Sequence, residues 1–249
     1  MPDAPLQALQ AAARGTPAAG PPRPRLVIAG ATGVLGNEVL RRLVGLQQFG
    51  TTQVLAREPI MAGLRGVGTT VVPGEDPALW PPGAADTGVV LFDPPRLFYD
   101  RERALWTPAP EQLPALAHWM RRSGVTTLAV VLPHAQGRLP EALKRGLANL
   151  DEHAVAAEGF ERLLIVRSAQ KPAPPARAGW LPGVAHWMLS IFKYMVPSSE
   201  QPVRSQKVAE FVAAALQLAP PGIHVAAPET VWRAAQGDLR SAVRQWLGA

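Results

Sequence analysis

The stretch "VIAGATGVLGNEVL", Val27 to Leu40, decides how the rest of the chain is read. Arg25 to Gly30 is a short apolar run of the kind buried in a sheet, and Val34 to Val44 repeats apolar residues at helical spacing. Between them Gly30, Gly33 and Gly36 form a G-x-x-G-x-x-G pattern at the strand-to-helix turn. In that setting the spacing predicts a phosphate cradle rather than a chance string match. Gly30 permits the tight turn, Gly33 lets a diphosphate approach backbone with no Cβ in the way, and Gly36 lets the helix pack closely. The unpaired N–H groups of the first helical turn, at Val34 and Leu35, would face the phosphates, and Thr32 would add a hydroxyl donor. A glycine-rich turn that holds no ligand is the blander alternative.

Outward from this turn, apolar runs alternate with helix-length segments. Strands are expected at 25–30, 52–56, 69–73, 87–93, 126–133 and 162–168. Helices are expected between the second and third strands, at Glu111–Ser123 and at Leu139–Glu158. Near-continuous apolar strands separated by helices point to a parallel sheet covered on both faces. The fold class is therefore α/β, a doubly wound (Rossmann) parallel sheet flanked by helices. Beyond about residue 169 the pattern changes to a C-terminal helical extension: a greasy segment at 180–196, a helix at 203–218, a short strand at 222–227, and helices at 228–235 and 238–247. Residues 1–24 read as a disordered Pro/Ala-rich tail, and 25–249 as one domain.

Composition narrows the function classes. The chain has no cysteine, which removes disulfides, thiolate metal sites and cysteine nucleophiles. Apart from His134, the histidines His118, His153, His186 and His224 show no metal-ligand spacing, so no metal is expected. The net charge of +6 comes mainly from scattered arginines, with lysine only at Lys144, Lys171, Lys193 and Lys207. No run interleaves several basic residues with aromatics, so nucleic acid is not indicated as a partner. The segment Trp180–Val196 is too short to span a bilayer and carries Pro182, His186 and Lys193. With no recognisable export signal, the expected location is cytoplasmic. If exposed, Trp180, Trp187, Met188, Phe192 and Tyr194 would offer a surface to a protein partner or an apolar small molecule.

The second strand refines the ligand. An NAD site usually ends this strand with an acid that holds the ribose hydroxyls. Here it ends "VLAREP", which places Arg57 at that position. A guanidinium there suits a 2′-phosphate, so NADP is favoured over NAD, although Glu58 follows directly. At the carboxyl ends of the fourth and fifth strands, Phe92, Asp93 and Pro133 complete the expected cofactor-binding set.

On these residues the chain resembles the atypical short-chain dehydrogenase/reductase superfamily. It is most similar to the NAD(P)-binding branch that includes the Tat-interacting-protein-related oxidoreductases. The matching stretches are "GATGVLG" at 30–36, "VLAREP" at 54–59, "GFERLLIVRSA" at 159–169 and "PVRSQKVAEFVAAAL" at 202–216. The resemblance implies a bound dinucleotide. It also implies a Ser after the fifth strand, and a Tyr with a Lys four residues later on the next helix, for proton transfer during hydride transfer. Those residues are missing here. Aligned on "GFERL", the Tyr position falls on Lys144, the Lys position on Ala148, and the Ser position on Leu132 or Pro133. The only tyrosines are Tyr99 and Tyr194, so a one-residue shift restores nothing.

Two functions follow as expectations. In the first, the protein binds NADP (or NAD) without the Ser/Tyr/Lys set and serves as a cofactor-binding sensor or as a partner for another protein. In the second, it is an NADP-dependent oxidoreductase that uses a substituted acid, His134 or Lys144, or none.

Overall fold

The computed structural model describes residues 23–60, 65–96, 99–133, 150–167 and 203–248. Its frame is a sheet of seven strands, all parallel: β1 (Arg25–Ala29), β2 (Thr51–Ala56), β3 (Val67–Val71), β4 (Thr87–Leu91), β5 (Thr127–Leu132), β6 (Arg162–Arg167) and β7 (Gly222–Ala226). The spatial order is β3-β2-β1-β4-β5-β6-β7. The order reverses between β1 and β4, which makes that crevice the topological switch point where ligands of open α/β sheets sit. Each strand runs where its sequence predicts, within about three residues at either end.

Strand residues alternate between two cores. Leu26, Ile28, Val54, Val89, Leu91, Val131 and Leu164 pack toward α1 (Gly33–Gly45) and three helices from the C-terminal part of the chain. Val27, Ala29, Leu55, Val90, Leu128, Val130, Leu163 and Ile165 pack toward the opposite layer, which contains Trp80, Trp106 and Trp119. The central strands β4 and β5 are buried along their whole length, as a sheet covered on both faces requires.

Along the chain, the short helix α2 (Asp100–Ala104) follows β4, and α3 (Leu113–Arg122) follows it. A 3-10 turn at Pro110–Gln112 delays the start of α3, where the sequence reading begins it at Glu111. The predicted helix Leu139–Glu158 is shorter in its described part. Leu150 and Asp151 are not helical, and α4 (Glu152–Ala157) begins after Asp151, whose side chain accepts from Ala154 N at 2.9 Å. An aspartate in this position caps the first turn of the helix that follows it. Val155 is the fully buried residue of α4. Of the helix expected between β2 and β3, residues 57–60 and 65–66 carry none, and 61–64 lie outside the described residues.

The C-terminal elements agree closely with the sequence pattern: α5 (Ser205–Leu218), β7, α6 (Pro228–Ala235) and α7 (Leu239–Leu247). Helix α5 buries Val208, Phe211, Val212 and Ala215 beside α1, so the extension closes the same face as the glycine turn's helix. Among the described residues, no helix is long and apolar enough to cross a membrane.

Candidate functional site

The turn after β1 has the backbone the glycines predict. Gly30 has φ +77° and Gly33 has φ +66°, in the left-handed region where a side chain is strained. A Cβ on Gly30 would lie 2.0 Å from the Leu91 carbonyl oxygen, and one on Gly33 would lie 2.1 Å from Asp93 Oδ2. Gly36 sits inside α1, where a Cβ would meet the Gly30 carbonyl oxygen at 2.7 Å. Helix, turn and strand therefore approach at backbone distance, and the amides of the first turn point into the switch-point crevice.

Those amides already hold anionic oxygens. Leu35 N donates to Asp93 Oδ2 at 2.9 Å, and the Val34 amide also bonds the Asp93 carboxylate. Gly33 N donates to Glu102 Oε2 at 3.0 Å. The same Glu102 oxygen accepts from Arg96 N at 2.9 Å. Its other oxygen accepts from Asn37 Nδ2 at 2.8 Å, from Arg96 Nε at 2.7 Å and from Arg96 Nη2. Asn37 also donates to the Gly33 carbonyl at 2.7 Å, tying the second turn of α1 to the loop. Thr32 is fully buried; its hydroxyl donates to the Asp93 carbonyl and lies 3.0 Å from the Thr107 hydroxyl. The Arg96 guanidinium lies 3.7 Å above the Tyr99 ring, a cation–π contact that fixes its plane.

The two carboxyls are tuned in opposite directions. Burial pushes Asp93 up, the Leu35 and Val34 amides pull it back, and the neighbouring Glu102 charge adds to the rise; the net direction is up. Burial also pushes Glu102 up, but its bonds from the Arg96 side chain, the Arg96 amide and the Gly33 amide outweigh that, so Glu102 stays below the usual carboxylate range.

Arg57 lies at the end of β2, beside this loop, and it too has a partner. Its Nε and Nη2 fork onto Glu75 at 2.8 and 3.3 Å, and Nη1 donates to the Leu105 carbonyl at 3.1 Å. Glu75 also accepts from Trp106 Nε1 at 3.0 Å, and its carboxyl is held low, first by the Arg57 bond. Trp106 packs edge-on against Trp80, with ring centroids 4.8 Å apart.

One feature here is not predicted by the sequence reading. The chain after β4 folds back across the carboxyl ends of β1 and β2. Leu105 forms an antiparallel bridge with Ala56, Arg57 N donates to Ala104 O at 2.8 Å, Trp106 N to Leu55 O at 2.9 Å, and Gly30 N to Trp106 O at 3.1 Å. The signal for it is the acidic and basic cluster in "FDPPRLFYDRERALW", where Pro94 and Pro95 turn the chain out of β4. Beside Glu102, between α1 and strands β2 and β3, lies a cavity of about 300 Å³ floored by Leu40, Val54 and Val67 and rimmed by Asn37, Arg41 and Thr69.

The remaining expected residues are distributed as follows. Phe92 is buried in the core that faces α3, Leu35 is buried on the sheet-facing side of α1 itself, and Val34 is 55% exposed at the rim. Pro133 directly follows β5, and Leu132 ends that strand, so neither residue at the expected Ser position carries a hydroxyl. His134, Lys144 and the segment 180–196 lie outside the described residues, as does the tail up to residue 22. Among the described residues, no cluster of His, Asp and Glu could hold a metal ion.

No family profile matches the chain, and no curated protein does. Solved structures do resemble it. A Rossmann-fold NAD(P)-binding family protein from Shigella flexneri is 16% identical, with 78% of this chain and 87% of that one covered at a TM-score of 0.43. The triphenylmethane reductase of a Citrobacter species, solved with NADP(H), is 15% identical over 77% of this chain and 65% of its own, at a TM-score of 0.45. The Bordetella bronchiseptica enzyme WbmH, solved with NAD+, is 12% identical over 86% and 80%, at a TM-score of 0.43.

Proposed function

We propose that the protein binds NADP(H), and NAD(H) less well, at the Gly30–Gly36 turn, and acts as a cofactor-responsive sensor or partner protein rather than as a reductase. The observation that carries this reading is the set of loop amides on Gly33, Val34 and Leu35, which converge on anionic oxygens at the switch point of the sheet. A helix N-terminus with its amides so directed suits a phosphate as well as a carboxylate. The donors present therefore fit a diphosphate, with Gly30 and Gly33 holding the left-handed, closely packed turn that aims these amides and that a side chain would strain. Arg57 lies at the end of β2, where a 2′-phosphate would be read. The non-catalytic half of the reading rests on Leu132, Pro133, Lys144 and Ala148 standing where the resembling enzymes carry Ser, Tyr and Lys. When bound, the nicotinamide could supply a hydride, but no residue at those four positions offers the matching hydroxyl or phenol.

The test is titration of the purified chain with NADPH by calorimetry. Saturable binding is expected, with no consumption of NADPH in the presence of carbonyl substrates. Absence of any heat at millimolar cofactor overturns the first half, and substrate-dependent NADPH oxidation overturns the second.

A further inference from the structure

Three groups that this reading offers to phosphate are each bonded to an acid from elsewhere in the chain. Gly33 N is held by Glu102, the Val34 and Leu35 amides by Asp93, and the Arg57 fork by Glu75. Ordinary helix capping does not explain the pattern. The capping residue of α1 is Thr32, and its hydroxyl makes no cap bond. The acceptors instead come from 58 and 69 residues away, out of the segment that follows β4. We propose that Asp93, Glu102 and Glu75 are an internal substitute for the phosphates of the dinucleotide, so that the cofactor enters by exchange with these carboxylates and the unliganded protein keeps its own site closed.

The proposal rests on the dinucleotide reading above and adds a competition to it. Each donor can serve one strong acceptor well, so a phosphate oxygen at Leu35 N requires Asp93 to leave. Asp93 is held by two backbone amides while burial disfavours its charge, and the Arg96 guanidinium nearby is engaged by Glu102. Glu102 is held most firmly, yet it borders the 300 Å³ cavity, which gives its side chain and that of Arg96 a place to turn into. Backbone at Ala104–Trp106 already lies over the ends of β1 and β2, so the carboxylates reach the loop without a change in the sheet.

The experiment compares NADPH binding by the full chain and by its Asp93→Ala variant, together with amide hydrogen exchange at Gly33 and Leu35. Removing a charged acceptor from the seat is expected to tighten NADPH by about tenfold and to speed Leu35 exchange by a similar factor in the unliganded variant. Asp93→Asn, which keeps the shape, stands in if the alanine variant does not fold, and should tighten binding by about threefold. Affinities within about twofold of wild type overturn the exchange while leaving the dinucleotide reading intact. If neither protein binds NADPH, the dinucleotide reading fails, and inorganic pyrophosphate becomes the probe. Tighter pyrophosphate binding by the variant then upholds the carboxylate substitution, and equal or no binding overturns it.

Discussion

Replacing Glu102 with glutamine removes one charge and changes almost nothing in shape. The Glu102 side chain is 5% exposed and receives nitrogens from Gly33, Arg96 and Asn37. A glutamine can keep its carbonyl oxygen on the Gly33 and Arg96 amides, but its NH₂ then faces Asn37 and the Arg96 guanidinium, which are donors themselves. Hydrogen bonds to a charged group contribute about 1.5–3 kcal/mol each, and a stranded buried donor costs about 1–3 kcal/mol. Arg96 is 37% exposed and can turn to water, which discounts its share. The sum is a loss of about 2–3 kcal/mol, or roughly 5–10 °C in Tm for a chain of this size. The pH dependence follows from the lowered carboxyl. The stability it contributes is present above the ordinary Glu pKa and lost as pH falls through its own lower value. The gap between wild type and Glu102→Gln should therefore be full at neutral pH and close below about pH 4. Thermal unfolding followed by circular dichroism measures it, with the exposed Glu111→Gln as control. A Tm for Glu102→Gln within about 1 °C of wild type at pH 7 would mean that this carboxylate is not seated on the glycine loop.

Further outcomes test the loop and its neighbours. Gly36→Ala gains helix propensity of about 1 kcal/mol but drives a Cβ to 2.7 Å from the Gly30 carbonyl, so urea denaturation should show a net loss of about 1–2 kcal/mol. Gly45→Ala at the end of the same helix has open space and should be neutral or slightly stabilising in the same assay. Asp93 has its carboxyl raised, so its contribution is present at low pH and lost as pH rises through the folded value; Asp93→Asn should therefore gain Tm relative to wild type on going from about pH 3 to pH 7. Glu75→Gln weakens the fork on Arg57, and paired titrations should show the preference for NADPH over NADH rising about threefold or more; an unchanged ratio removes Arg57 from the 2′-phosphate seat.

The sheet could be read from the sequence because each strand is a short apolar run closed by glycine, proline or a polar residue, and the helices after β1, β4, β5 and β6 supply parallel crossovers. The two edge strands show how far burial governs that signal. β3 is half-buried and β7 mostly exposed, yet both still pair because Thr69, Thr70, Ile223 and Val225 favour extended backbone. The glycine positions were legible for the same local reason: spacing alone dictates where a turn lacks room for a Cβ. The occupants of the loop were not legible. Asp93 and Glu102 sit far from Gly33 in sequence, and their approach depends on an antiparallel bridge from Leu105 to Ala56; Pro94, Pro95 and the charges after them mark a turn out of β4 but not where it lands. Likewise residues 139–158 could be drawn as one long periodic stripe, whereas Leu150 and Asp151 are not helical and α4 starts on the Asp151 cap, a choice made by one side-chain acceptor rather than by hydrophobic period.

The indole of Trp106 is wedged between Trp80 and the Glu75–Arg57 pair, with its N–H on the carboxylate. Trp119 completes a row of edge-to-face rings, its centroid 5.3 Å from that of Trp80. Any visitor that draws Arg57 away from Glu75 alters the field on this chromophore before it alters the backbone. The molecule thus carries its own optical gauge of occupancy, and subtracting the spectrum of Trp106→Phe would isolate its signal from the other tryptophans.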